Sequence, residues 1–138
     1  MSPITQTPIL FTHNINVRID DLNFGNHLCH TKFLNLIHNA RALFLKIHNL
    51  SEINCFDSQL IMLNLNIKYI SQCFFNDLLE INLTIGNLDK ASFSFSYLIV
   101  NKTSNKLAAE ANTVMGFVDI KRGKLKRIPI QFLNLFRI

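Results

Sequence analysis

The 138-residue chain reads as an α+β protein in which one curved antiparallel sheet wraps around a single long helix. Three observations predict this: one stretch of helical period, several runs of strand period after it, and mainly short connections between those runs. Short connections make sequential strands antiparallel neighbours, and a lone amphipathic helix can bury its apolar face by having such a sheet curl around it. The first element, residues 11–19, sets Ile15, Val17 and Ile19 on one side of a strand. A loop over residues 20–29 follows. Residues 31–48 form the helix, because Phe33, Leu36, Ile37, Ala40, Leu43, Phe44 and Ile47 recur every three or four positions. The period then changes to two. Leu63, Leu65, Ile67 and Tyr69 alternate with polar residues, as do Leu79, Ile81, Leu83 and Ile85, then Phe93, Phe95, Tyr97 and Ile99. A last strand runs over residues 106–121, and the tail beyond Pro129, with Phe132, Leu133, Leu135 and Phe136, predicts a short helix. Asn- and Asp-bearing segments at 86–89 and 101–105 suit turns.

Composition narrows the function classes. Apolar residues make up 49% and charged residues 17%, below the roughly 25% of an average domain, which argues against disorder and against a coiled coil. A chain this short fits one domain over residues 1–138. No apolar run reaches the roughly 18–20 residues of a membrane helix, and the N-terminus lacks the pattern of a secretion signal, so a soluble cytoplasmic protein with no membrane insertion is expected. Cys29, Cys55 and Cys73 make no CxxC pair, which suits reduced thiols and not a disulfide framework. The net charge is +5, but Lys121, Arg122, Lys124, Lys126 and Arg127 concentrate it in one place, so a nucleic-acid groove is not indicated. That basic stretch suits a solvated turn, or contact with the phosphates of CoA or an acidic carrier protein. Asn occurs 17 times, which reads as codon bias.

The stretch Val17-Arg18-Ile19-Asp20-Asp21-Leu22-Asn23-Phe24-Gly25-Asn26-His27-Leu28, followed by Phe33-Leu34-Asn35-Leu36-Ile37-His38-Asn39-Ala40-Arg41 on the helix, resembles the hot-dog fold thioesterases of the 4-hydroxybenzoyl-CoA thioesterase type. The similarity runs on through Tyr69 and Asn76-Asp77 into the last long strand. The resemblance implies a dimer or larger homo-oligomer with sites at subunit interfaces, and hydrolysis of acyl-CoA or acyl-carrier-protein thioesters with no separate cofactor. It also implies site positions. Asn23 stands where many relatives hold a catalytic Asp, and Asn39 where others hold a Glu, so two expected carboxylates are amides.

Thioester hydrolysis needs an activated attacking group and donors aimed at the carbonyl oxygen. His27 is the expected base, because its ordinary pKa suits neutral pH. Asn23 is the partner that orients water, and Asp21 either supports them or stabilises the turn. Free N–H groups at the helix start, near Cys29, His30 and Thr31, would polarise the thioester. Phe24 and Phe33 are candidates to line the acyl channel, with Gly25 in the same binding loop. Cys29 as a nucleophile is the weaker idea, since free Cys is most often a small buried apolar residue. His27 and His30 do not make a metal site, because no second cluster supplies the remaining ligands. Two other readings stay open: a hot-dog protein that binds acyl groups without turnover, and a hydratase or dehydratase using His with a late-strand acid, Glu110 or Asp119.

Overall fold

The computed structural model describes residues 8–136. Strand β1 (Phe11–Asn16) leads through a short 3-10 turn (Ile19–Asp21) to helix α1 (His30–Ile47). Strands β2 (Ser58–Tyr69), β3 (Leu78–Gly86), β4 (Ser92–Asn101) and β5 (Lys106–Asp119) follow, then β6 (Leu125–Lys126) and a short helix α2 (Ile130–Asn134). All pairings are antiparallel, in the order β1-β3-β4-β5-β2, with β6 also on β5. The expected order of strand, helix and four strands is present, with the helix within one residue of its predicted bounds.

Strand β1 ends earlier than its alternation suggests. Val17 is buried, but Ile19 lies in the 3-10 turn and is 70% exposed. The core forms where α1 packs toward β3 and β1. Phe33, Ile37, Ala40, Phe44 and Leu45 of the helix meet Leu79, Ile81 and Leu83 of β3 and Phe93, Phe95 and Tyr97 of β4 in one cluster. Phe132 of α2 plugs its end, with ring centroids 4.8 Å from Phe93 and 5.0 Å from Phe117. Each such buried Phe stabilises the fold by roughly 1.5–3 kcal/mol.

Strand β2 departs from the simple alternation. A bulge between Met62 and Asn64 leaves Leu63 outside the pairing, so the residues facing the helix side switch from even to odd numbers. Leu60 and Met62 sit opposite Phe117 and Met115, while Leu65, Ile67 and Tyr69 sit opposite Thr113, Ala111 and Ala109. Leu63, first in the predicted apolar face, is therefore the residue that does not belong to it. The helix lies over the β1–β3 end of this face and leaves much of β2 uncovered: Met62, Leu65 and Tyr69 are 48%, 37% and 45% exposed. A groove thus runs between α1 and β2. The outer edge of β2 has no partner strand among the described residues.

Candidate active site

The loop over residues 20–29 is fixed almost wholly by its own hydrogen bonds. The Asp21 carboxylate accepts the Arg18 backbone N–H at 2.9 Å and also meets the Arg18 guanidinium at 3.4 Å, closing the 3-10 turn. The Asp21 carbonyl accepts the Cys29 N–H at 2.9 Å, which sets where α1 begins. Between them Leu22 bridges Leu28, the Asn23 N–H reaches the His27 carbonyl at 3.0 Å, and the Asn26 N–H reaches the Asn23 carbonyl at 3.0 Å. Asn26 takes a left-handed conformation (φ 61°), which Asn tolerates better than most residues. The far side is pinned to the chain before β3 by the Leu28 N–H on the Cys73 carbonyl at 2.7 Å and by pairing of His27 with Phe74.

This frame sets His27 against Asn23. The Asn23 side-chain oxygen accepts the Gly25 N–H at 2.9 Å, which turns its amide nitrogen toward His27 Nδ1, 3.5 Å away. The imidazole lies so close over Gly25 that a Cβ there would come within 3.0 Å of both Nε2 and Cδ2. Gly25 thus serves the site through its missing side chain.

Helix α1 starts beside them. Cys29 is its N-cap and offers no side-chain cap bond. The N–H groups of His30 and Thr31 have no helical carbonyl to reach, while that of Lys32 turns back to the Cys29 carbonyl at 2.9 Å. The Cys29 thiol reports the local field: the Thr31 hydroxyl, 3.3 Å from Sγ, and then the Thr31 backbone N–H hold its pKa below the ordinary thiol value. Tyr69, at the end of β2, donates its hydroxyl to the His30 carbonyl at 3.1 Å and packs edge-on to Phe33 at 5.4 Å.

Asn23, His27, His30, Phe33 and Tyr69 line one cavity of about 240 Å³, completed by Leu28 and residues 70–72. Of the residues singled out from sequence, the structure brings His27, Asn23, His30 and Phe33 together. It does not bring Asp21, whose carboxylate is committed to the turn and borders a different cleft beside Arg18 and Lys32. Phe24 projects fully into solvent at the loop tip, and Thr31 faces Cys29 outside the cavity. Asn39 lies on the helix face toward β1, with its amide nitrogen 3.5 Å from His13 Nε2. Glu110 is paired opposite Lys68 and Leu98 and borders a cleft on the sheet's outer face, while the Asp119 carboxylate caps the β5–β6 turn by accepting the Lys121 and Arg122 N–H groups at 2.8 and 3.0 Å. Neither acid reaches α1. Tyr69 is the cavity residue that sequence reasoning left among the strand residues; its odd-numbered place after the bulge puts it on the helix side.

Among the described residues no helix is long and apolar enough to cross a membrane. Residues 17–136 match the family model described as the thioesterase-like superfamily. A curated protein of Aquifex aeolicus (strain VF5), which carries a provisional esterase name, is 26% identical over 110 residues, covering 78% of this chain and 83% of its own. The chain superposes with a TM-score of 0.82 on the 1,4-dihydroxy-2-naphthoyl-CoA thioesterase of Synechocystis, at 24% identity over 91% of this chain and 94% of that one. It superposes with a TM-score of 0.83 on a Staphylococcus aureus protein solved in complex with CoA, at 18% identity over 97% of this chain and 85% of that one. The order of strands around α1 and the match across residues 17–136 agree: the chain belongs to the thioesterase-like superfamily and has its hot-dog fold.

Proposed function

We propose that the protein hydrolyses acyl-CoA thioesters at the cavity where α1 begins. The observation that carries this reading is the meeting, in one cavity, of an imidazole held against an amide and the uncapped first turn of an 18-residue helix. The positive end of the helix dipole and the free N–H group of His30 suit an oxygen that gains negative charge. Across the cavity, the 3.5 Å between Asn23 Nδ2 and His27 Nδ1 is the outer limit of a direct bond. A water within reach of both accepts from the amide and donates to Nδ1, so the imidazole takes its proton as the oxygen attacks the thioester carbon. Collapse of the tetrahedral intermediate expels the thiolate, and the protonated His27 returns the proton to it. The CoA-bound Staphylococcus aureus relative supports CoA as the thiol part, and Lys121, Arg122, Lys124, Lys126 and Arg127 around the β5–β6 turn suit its phosphates or an acidic carrier protein.

The unpartnered edge of β2, with Met62, Leu65 and Tyr69 exposed beside it, supports assembly of two copies through that strand. Three unpaired cysteines suit a reducing compartment such as the cytoplasm.

Free-thiol release from short, long and aromatic acyl-CoAs, and from acyl-carrier protein, tests the reading. Release that falls at least about a hundredfold in His27→Ala, with fold intact, is the expected result. No release from any thioester overturns it. Because neither His27 nor Asn23 is a carboxylate, the second reading is a binder: measurable acyl-CoA affinity without turnover would establish it.

A further inference from the structure

A second cavity, of about 340 Å³, lies further along α1 and β2. It is walled by Leu34 and Ile37 of the helix and by Met62 and Leu65 of β2, with Asn35 also on its lining. It ends on a charged cluster that the proposed hydrolysis does not use. The Glu52 Oε1 atom accepts Arg41 Nε at 3.0 Å and meets His38 Nε2 at 3.2 Å. Arg41 is buried, and its Nη1 donates to the Tyr97 hydroxyl at 3.1 Å, which in turn bonds Thr113 at 2.8 Å. Burial alone would lower the Arg41 pKa, but Tyr97 and then Glu52 outweigh it and hold the guanidinium charged.

The cluster has a definite polarity toward the groove. Arg41 donates from Nε to Glu52 and from Nη1 to Tyr97, and it also lines the groove. Glu52 Oε2 has no hydrogen-bond partner among the described residues. His38, whose side chain is 62% exposed, sets its Nε2 against the other oxygen of that carboxylate. The groove thus ends beside an unpartnered carboxylate oxygen of Glu52, with His38 and Arg41 next to it.

The geometry points to a specificity device, and it rests on the hydrolysis proposed above: we propose that this groove holds the acyl chain and that Glu52 and His38 select chains ending in a hydroxyl. The two cavities follow one another along the same helix and strand, His30 and Phe33 with Tyr69 first, then Leu34, His38 and Arg41 with Leu65 and Met62. From His30 to His38 is about 12 Å along the axis, a distance that an extended chain of about ten carbons covers. A terminal hydroxyl donates to Glu52 there, a terminal methyl leaves the carboxylate with nothing it did not have in water, and a terminal carboxylate is repelled by it.

The test compares 10-hydroxydecanoyl-CoA, decanoyl-CoA and the decanedioic mono-CoA ester, in wild type, His38→Ala and Glu52→Gln. Wild type is expected to prefer the hydroxylated ester by about tenfold or more in kcat/KM, with the carboxylated one slowest. Glu52→Gln, which keeps an oxygen acceptor but loses the charge, should weaken the preference and lift the penalty on the carboxylated ester, and His38→Ala should reduce the preference severalfold; His38 is exposed, so that variant keeps its fold even where Glu52→Gln weakens Arg41. A ratio near one in wild type, or one unchanged in both folded variants, overturns the proposal while leaving hydrolysis standing. If none of the esters releases thiol, the hydrolytic reading fails instead. Calorimetric binding of the same esters then decides: a tenfold affinity ratio sustains the selection and equal affinities end it.

Discussion

The cavity at the head of α1 takes Asn23, His27 and His30 from one continuous stretch and Tyr69, Ser71 and Gln72 from another, whereas the cavity beyond it takes His38 and Arg41 from the helix and Glu52 from the loop that follows. The first presents a free backbone N–H group and a helix dipole, which favour negative charge. The second presents a carboxylate oxygen without a hydrogen-bond partner, which favours a donor. Both lie along one helix, so a single ligand laid in the groove meets opposite chemistry at its two ends. The difference teaches how each end can fail: the first depends on the shape of a loop, the second on a buried charge being balanced.

The sharpest way to separate them is His27→Ala. Thioester hydrolysis should fall at least about a hundredfold, with chain-end selectivity in the residual activity unchanged, as read from kcat/KM ratios. Glu52→Ala should act in the reverse sense. It leaves Arg41 buried with only Tyr97 for company, and because Glu52 is partly exposed we expect a loss of about 2 kcal/mol, toward the low end for a broken buried pair; urea unfolding measures it.

Gly25→Ala tests the loop alone. The added methyl pushes the His27 ring, so kcat should drop about tenfold with stability changed by less than about 1 kcal/mol. Thiol chemistry then distinguishes the start of α1 from the buried interior without mutation. Burial pushes Cys55 up to about 12 and Cys73 up to about 11, while Cys29 is held below its ordinary value. A thiol reagent at neutral pH should therefore label Cys29 first, and mass spectrometry of the digest checks it. The same burial sets an alkaline limit. A thiol whose folded pKa is raised keeps the fold bound to its proton, so its stabilisation is whole below pH 9 and falls as pH rises through 11 and 12. Thermal unfolding at stepped pH should show the decline beginning near 9.

Much of this was legible in the sequence where the cause is local. The helix over residues 31–48 and the strands of β3, β4 and β5 follow the pattern of the sequence, and the turn from Asn23 to His27 closes on its own Asn23–His27 and Asn23–Asn26 hydrogen bonds, although His27 also pairs with Phe74. Asp21 stayed open between supporting the site and stabilising the turn, because a carboxylate beside a site looks the same in sequence whether it faces the cavity or its own backbone; its carboxylate closes the turn. Leu63 was assigned to the apolar face because a bulge shifts strand parity without any residue-type signature. Glu52 carried no signal at all. It lies outside any motif, and only the return of the chain after α1 brings it within 3.0 Å of Arg41.

Among the described residues, five of the seven non-glycine residues with positive φ are asparagines: Asn26, Asn49, Asn76, Asn87 and Asn105. The abundance that looked like codon bias therefore has a structural use, since a chain with only four glycines turns its corners on side-chain amides. Such amides are among the thermolabile groups of a protein. Heat or long storage that hydrolyses them would add a negative charge at each corner, and a molecule altered at all five would have lost its net charge of +5. Its approach to the isoelectric condition, and with it a tendency to self-associate, would then serve as a clock of chemical age kept by the turns, while the phenylalanine core stayed as it was.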